Sequence, residues 1–220
     1  LIGYLKSIPV LRRSLKKNRY DIVHAHYSFS GFVASLAGAK PLIVSLMGSD
    51  VKSEKYYKIL IKLFNLISWS NLIVKSLDMK MSLGIKNVQI IPNGVDLNIF
   101  KPLNQKKAKN KLQWDESKKH ILFAANPNRL EKNFNLAKGS IERMKNSNIT
   151  LKYLSNVPNA EVPFYYNAAD VVLLTSLWEG SPNVIKESMA CNRPIVSTNV
   201  GDVNMLLKHV ESSFIVNPDS

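Results

Sequence analysis

Cysteine is nearly absent: Cys191 is the only one in 220 residues. That excludes an internal disulfide framework and any multi-cysteine metal site. It suits a reducing compartment. Acidic residues are also scarce, with 16 Asp and Glu against 30 Lys and Arg, for a net charge of +14. The imbalance is steepest early: residues 1–100 hold 14 basic against 5 acidic side chains, and residues 101–220 hold 16 against 11. Such an excess favours anionic partners, whether nucleotides, acidic lipid surfaces or nucleic acid. No RNA- or DNA-binding motif accompanies the charge, and the basic residues are dispersed, so nucleic acid is not an expected partner. Asp-x-Asp does not occur, so metal-bridged diphosphate binding has no obvious ligands and no metal is expected. The longest apolar region, GFVASLAGAKPLIVSLMG, is broken by Lys40-Pro41 and reads as helix, turn and strand rather than a membrane span. No leader with a cleavage pattern follows Leu1.

What is present is a regular alternation of short apolar runs with helical patterns. Residues 2–18 carry apolar groups near helical spacing, interrupted by Pro9, with cations from Arg12 to Arg19 where they suit a helix C-terminus. DIVHAH reads as a short buried strand, GFVASLAGA as a helix and PLIVSLMG as a strand. SEKYYKILIKLFNLISWS reads as a helix with Ser53 or Asp50 as its cap. NLIVKS, LDMKMSL and VQIIP continue as strand, helix and strand. A polar, Lys-rich stretch from NGVD to KLQW marks a domain boundary, and a second alternating series follows from HILFAA to SFIV. The pattern is that of parallel sheets covered by helices: an α/β chain of two Rossmann-like domains, residues 1–100 and 101–220, with a ligand cleft expected between them.

The stretch WEGSPNVIKES places Glu179 and Glu187 around a turn and a helix start. DVVLLTS before it has the apolar run of a buried parallel strand, and open α/β sheets bind ligands beyond the carboxyl ends of their strands. Pro182 suits the first helical position. The free N–H groups of Asn183, Val184 and Ile185 would then form an anion site fit for a diphosphate. Glu187, a turn further in, is placed to accept hydrogen bonds from vicinal hydroxyls. Taken singly, each glutamate fits an ordinary surface role; together, with Gly180, Ser181 and Pro182 between them, they are specific.

LLTSLWEGSPNVIKESMACNRPIVSTNVGDV resembles the signature of retaining, nucleotide-sugar-dependent glycosyltransferases of the GT-B fold, family four. IIPNGVDLNIFKP resembles the junction between that family's domains, DIVHAHYSFSG and SLMGSDV its N-terminal motifs, and VPFYYNAAD the segment before the signature strand. The likeness is greatest to enzymes of bacterial surface-polysaccharide assembly. The resemblance implies that Glu179 holds donor-sugar hydroxyls and stabilises charge at the anomeric carbon. It implies that Glu187 binds ribose and that the backbone after Pro182 holds diphosphate. Arg129 and Lys132, after HILFAANPN, would grip that diphosphate; the family's usual Gly-Arg slot reads Ala125-Asn126 here. Lys138 and Arg143 are expected on the surface. His26 would contact the sugar or its O6. His24, taken to face the opposite side of the strand, is expected to pack. Asp50 stands in the family's His-Gly-x-Asp motif, with Met47 in place of the histidine.

The family's first strand and Gly-rich loop would precede Leu1, and its final helices would follow residue 220, so a piece truncated at both ends is expected. The implied activity is transfer of a hexose from a UDP- or GDP-sugar to a glycan or lipid-linked hydroxyl, with retention. The expected setting is cytoplasmic, with peripheral contact to anionic membrane through residues 1–19 and 52–69. Same-fold alternatives are a sugar-nucleotide epimerase, a phosphorylase (whose cofactor lysine has no counterpart) and a non-catalytic nucleotide-sugar-binding protein.

Overall fold

The computed structural model describes residues 2–51 and 55–217. The chain divides into two compact units, Leu1–Pro92 and Asn93–Ser220. In the first, α1 (Ile2–Lys17) leads into β1 (Val23–His26), α2 (Ser28–Ala37), β2 (Leu42–Ser45), α3 (Lys55–Ile67), β3 (Asn71–Val74), α4 (Leu77–Leu83) and β4 (Gln89–Ile90). The four strands lie parallel in the order β1-β2-β3-β4. Their core is built from Leu42, Val44, Leu72 and Val74 on the central strands, with Phe32, Leu46, Ile61 and Trp69 from the flanking segments.

Two local expectations change. The first helix runs unbroken through Pro9; it lies largely exposed and packs through Leu11 and Leu15, with Tyr4 against Phe29. β1 is an edge strand of the described sheet, so it is half exposed rather than buried. The buried Asp50 carboxylate accepts the amides of Ser28 (3.1 Å), Met47 (3.0 Å) and Gly48 (3.0 Å), tying the start of α2 to the loop after β2. Ser53, one of the two caps expected for α3, lies outside the described residues.

The second unit holds α5 (Gln105–Lys111), β5 (Lys119–Phe123), a short 3-10 turn (Leu130–Lys132), α6 (Phe134–Arg143), β6 (Ile149–Tyr153), α7 (Val162–Ala168), β7 (Val171–Leu174), α8 (Asn183–Ala190), β8 (Ile195–Thr198), α9 (Val203–Leu207) and β9 (Ser213–Val216). Its five parallel strands run β6-β5-β7-β8-β9. The order reverses between β5 and β7, which makes the carboxyl ends of these two strands the topological switch point where such sheets take ligands.

The segment entering this unit is fastened to it. Asn167 accepts the Leu103 amide (2.7 Å) and donates to the Lys101 carbonyl (3.0 Å). Lys186 donates to the Asn93 carbonyl (2.8 Å). Helix α5 sits in the stretch read from the sequence as a polar boundary. Asn104 caps it by accepting the Lys107 amide (3.0 Å). Its anchor is electrostatic: buried Lys109 pairs with Asp170 at 3.2 Å, and Asp170 also accepts the His120 amide (2.9 Å) and meets Lys119 at 3.3 Å.

Burial alone would raise the Asp170 pKa, but the His120 amide and the Lys109 ammonium outweigh it and hold it below the ordinary value. A depressed carboxylate pKa adds stability that is full above the unfolded value of about 4 and is lost as pH falls through the folded value. Asp170→Ala leaves Lys109 buried without its partner and should cost about 3–5 kcal/mol. Urea unfolding at pH 7 and pH 3 measures it, with the gap between wild type and variant shrinking at the lower pH.

Candidate functional site

The site in the second unit is built from two loops at the switch point. After β5, the chain passes Asn126 and Arg129 into the 3-10 turn ending at Lys132. After β7, it passes Thr175 and Ser176 to Glu179. The loops are stitched together: Thr175 Oγ1 donates to the Lys132 and Asn133 carbonyls (2.9 and 3.0 Å), and the Leu177 amide donates to the Glu131 carbonyl (2.9 Å). Across this seam the Lys132 ammonium forms an ion pair with Glu179 Oε1, and Ser176 Oγ donates to the same oxygen (2.6 Å). Both side chains are largely shielded, at 9% and 14% exposure. Lys132 Nζ has two further donor positions. No described side chain or carbonyl takes them, and the second Glu179 oxygen is likewise uncommitted.

Glu179-Gly180-Ser181 is held from the other side by the loop after β8. Ser181 Oγ donates to Asp202 Oδ2 (2.5 Å), both side chains being buried. Gly201 takes φ 58° and lies so close that a Cβ there would sit 2.6 Å from the Gly180 carbonyl oxygen. Only glycine meets both demands at once. The sequence signal was the Gly-Asp turn following PIVSTN, but its partners could not be read from it.

Pro182 is the cap of α8 rather than its first residue, with φ −70° and ψ 121°, so the helix starts at Asn183. The shift of one leaves the argument for the following amides intact, since no side chain caps them. Glu187 stands apart from the Lys132–Glu179 pair. Its Oε2 accepts the Tyr166 hydroxyl at 2.6 Å, and it borders an open cavity of about 800 Å³ lined also by Ile99, Phe100, Val162 and Phe164. Burial pushes the Glu187 carboxyl up, against the pull of Tyr166 and Lys186. Burial, and then the Glu187 charge, push the Tyr166 phenol well above its ordinary value, so it stays a donor. Tyr166 was missed in the sequence because VPFYYNAAD offers two adjacent tyrosines and only packing distinguishes them.

Arg129 does not join this group. Its guanidinium is exposed and forks onto Glu131, at 2.6 and 2.8 Å. Lys138 and Arg143 lie exposed on α6, with Lys138 3.7 Å from Glu142. Cys191 is buried with its thiol pushed up to about 11, which leaves little thiolate at neutral pH. Among the described residues, no three His, Cys, Asp or Glu side chains gather as metal ligands.

In the first unit the two histidines share one face. Strand side chains alternate, so positions two apart lie together. The His24 and His26 rings lie tilted against each other with centroids 4.3 Å apart, and both residues are exposed. The expectation of opposite faces, with His24 packed inside, is therefore overturned. His24 Nε2 bonds Ser45 Oγ at 2.8 Å. Burial of its ring, then the nearby His26 and Lys75, lower the His24 pKa. Tyr27, next in line, takes φ 83°, a strained conformation for a side-chain-bearing residue costing on the order of 1–3 kcal/mol.

With this geometry in view, the comparisons are consistent throughout the chain. Residues 2–99 match the family described as Glycosyltransferase Family 4, and residues 116–220 match Glycosyl transferases group 1. The chain is 27% identical over 264 residues to the UDP-Gal:alpha-D-GlcNAc-diphosphoundecaprenol alpha-1,3-galactosyltransferase of Escherichia coli, covering 98% of this chain and 67% of that protein. It is 24% identical over 268 residues to the D-inositol 3-phosphate glycosyltransferase of Pseudarthrobacter chlorophenolicus, covering 98% of this chain and 63% of that protein. The sucrose-phosphate synthase structure from Thermosynechococcus elongatus superposes with a TM-score of 0.78 at 18% identity, over 99% of this chain and 65% of that one. The chain thus spans roughly two thirds of the length of these proteins. With one family match on each of its two parallel-sheet units, the chain belongs to the family 4, group 1 glycosyltransferases of the GT-B fold.

Proposed function

We propose that this protein transfers a sugar from a nucleoside diphosphate donor to a glycan or lipid-linked acceptor, with retention of anomeric configuration, in bacterial surface-polysaccharide assembly. The observation that carries the reading is the convergence at one switch point. Lys132 and Glu179 are joined there with donor and acceptor positions to spare, beside the uncapped start of α8. The E. coli relative's name specifies a UDP-sugar donor and a diphosphate-linked acceptor, which supports the same chemistry here.

In this reading the α8 amides at Asn183 and Val184 and the spare Lys132 donors hold the diphosphate. They stabilise the charge that accumulates on it as its bond to the anomeric carbon breaks. These groups supply the positive field without a metal ion. The free Glu179 oxygen accepts donor-sugar hydroxyls and opposes positive charge on that carbon. Gly180 and Ser181, pinned by Gly201 and Asp202, keep the carboxylate in place. Glu187 Oε1 accepts the ribose hydroxyls while Tyr166 occupies Oε2. His26 contacts the sugar or its O6, and Arg129 reaches the diphosphate only by leaving Glu131. The acceptor hydroxyl oxygen bonds the anomeric carbon as the diphosphate leaves, and the hydroxyl proton is released to it or to solvent.

A membrane-facing surface fits a lipid-linked acceptor. On α3, Ile59, Leu60, Leu63, Leu66 and Ile67 are exposed, as are Ile2, Leu5 and Val10 on α1. Lysines and arginines line the same helices, a combination that favours anionic bilayer surfaces. Residues 52–54 of the expected contact lie outside the described residues. Among the described residues no helix is long and apolar enough to cross a membrane. In this reading the protein works in the cytoplasm at the inner face of the membrane.

A thermal-shift screen against UDP, GDP, ADP, CDP and their sugars tests the donor site. A cognate nucleotide at ~100 times its dissociation constant should stabilise by about 2.7 kcal/mol, and Glu187→Ala should abolish the shift. A shift unchanged in that variant removes Glu187 from the site. An epimerase would convert the donor with no acceptor present, and a non-catalytic binder would shift without turnover. For the surface, co-sedimentation with anionic vesicles should fall as salt rises and fall further in Leu63→Glu/Ile67→Glu. Equal binding to neutral vesicles, or none to either, contradicts it.

A further inference from the structure

The carboxylate assigned to ribose is held by a phenol from the core. Tyr166 is 0% exposed and belongs to the core cluster that includes Trp114, Leu122 and Cys191. The Phe100 ring meets it edge-on, with centroids 5.9 Å apart. Its neighbour Tyr165 turns instead to Trp114, at 5.7 Å. Among the described residues the Tyr166 hydroxyl makes one hydrogen bond, donated to Glu187 Oε2 on α8 at 2.6 Å. Glu187 is half-buried at the edge of the 800 Å³ cavity, and no described donor reaches its Oε1. A glutamate side chain is flexible, and a ligand that has to order it loses affinity by that cost. The Tyr166 bond orders it in advance, and it opposes the burial that pushes the carboxyl up.

We propose that Tyr166 is a positioning residue for the donor: by holding Glu187 Oε2 it leaves Oε1 as a fixed acceptor that selects ribose over 2′-deoxyribose. Selectivity through Tyr166 rests on the donor reading above, which assigns ribose to Glu187, and names the residue that gives that contact its discrimination. The 2′-hydroxyl is a donor that counts only where an acceptor is already aimed at it. A deoxynucleotide lacks that bond, and an unaimed carboxylate distinguishes the two poorly. Tyr166 acts through Glu187 and has no part in breaking the donor bond. The other titratable or charged groups around Glu187 are Lys186 on its own helix, Cys191 just past that helix and Lys101 in the lining of the same cavity. Tyr166→Phe changes none of these and keeps the ring that Phe100 packs against.

Isothermal titration calorimetry tests this with UDP against 2′-deoxy-UDP and GDP against 2′-deoxy-GDP, read on whichever base binds wild type more tightly. Wild type, Tyr166→Phe, Glu187→Ala and the double variant are compared. Wild type should favour the ribonucleotide by about tenfold or more. Tyr166→Phe should cut that preference by about threefold or more, with deoxynucleotide affinity within about twofold of wild type, which also shows the variant to be folded. In Glu187→Ala, adding Tyr166→Phe should change the preference no further, because the phenol works through the carboxylate. A pH series gives a second readout. Without the phenol, burial pushes the Glu187 carboxyl higher still, so the ribose preference should begin to fall at a higher pH in Tyr166→Phe than in wild type. Equal losses of ribonucleotide and deoxynucleotide affinity in Tyr166→Phe would make the phenol a packing group and overturn the proposal, as would an unchanged preference. A wild type that binds nucleotide without preferring ribose overturns it too and takes ribose away from Glu187, while the diphosphate part of the donor reading stands. No binding of any of these nucleotides defeats the donor reading, and the role of Tyr166 with it.

Discussion

The shielded ion pair between Lys132 and Glu179 is the constraint on which the second unit's site depends. Two opposite charges with little solvent around them hold each other firmly, and removing either leaves the other stranded at considerable cost. The pair also closes a seam. Lys132 ends the loop after β5, Glu179 ends the loop after β7, and Thr175, Ser176 and Leu177 bond across between them. Two loops that would otherwise move separately become one surface at the switch point. The same two groups keep one carboxylate oxygen and two ammonium donors uncommitted among the described residues, which is what a sugar and a diphosphate require. Stability and chemistry draw on the same contact without exhausting it.

The two rims of the second sheet divide the work. At the amino edge, Asp170 gathers Lys109, Lys119 and the His120 amide, and every group it touches serves to anchor α5 and β5. At the carboxyl edge, Ser181–Asp202 and the close approach of Gly201 to Gly180 fix a loop whose outward groups stay available. The first sheet repeats the arrangement in a simpler form. Asp50 ties two loops through backbone amides, while His24 and His26 stay exposed on the edge strand. In both units the carboxylates that face the backbone are structural. Those with an oxygen to spare, Glu179 and Glu187, are the ones suited to ligand.

Much of this was legible in the sequence, for physical reasons that differ between elements. DVVLLTS and HILFAA read correctly as strands because a buried parallel strand must be apolar on both faces. The Glu179–Glu187 spacing was informative because a strand end, a Gly-Ser-Pro turn and a helix start constrain it together. Helix α5 was not legible. KKAKNK has little apolar periodicity, and its anchor is the Lys109–Asp170 pair, whose members are 61 positions apart. The histidines were misread through a face assignment that strand geometry forbids. Arg129 and Lys132 looked equivalent in sequence; the 3-10 turn sends one to Glu131 on the surface and the other into the seam.

The most direct test of the account is a crystal structure of the protein with the nucleoside diphosphate that binds it. The account places the diphosphate against the amides of Asn183 and Val184 with an oxygen bonded to Lys132, and the ribose hydroxyls on Glu187. The Glu179 carboxylate should keep its bond from Ser176. A nucleotide lodged elsewhere, with Lys132 and Glu187 still touching only their present partners, would contradict the assignment of this switch point as the donor site.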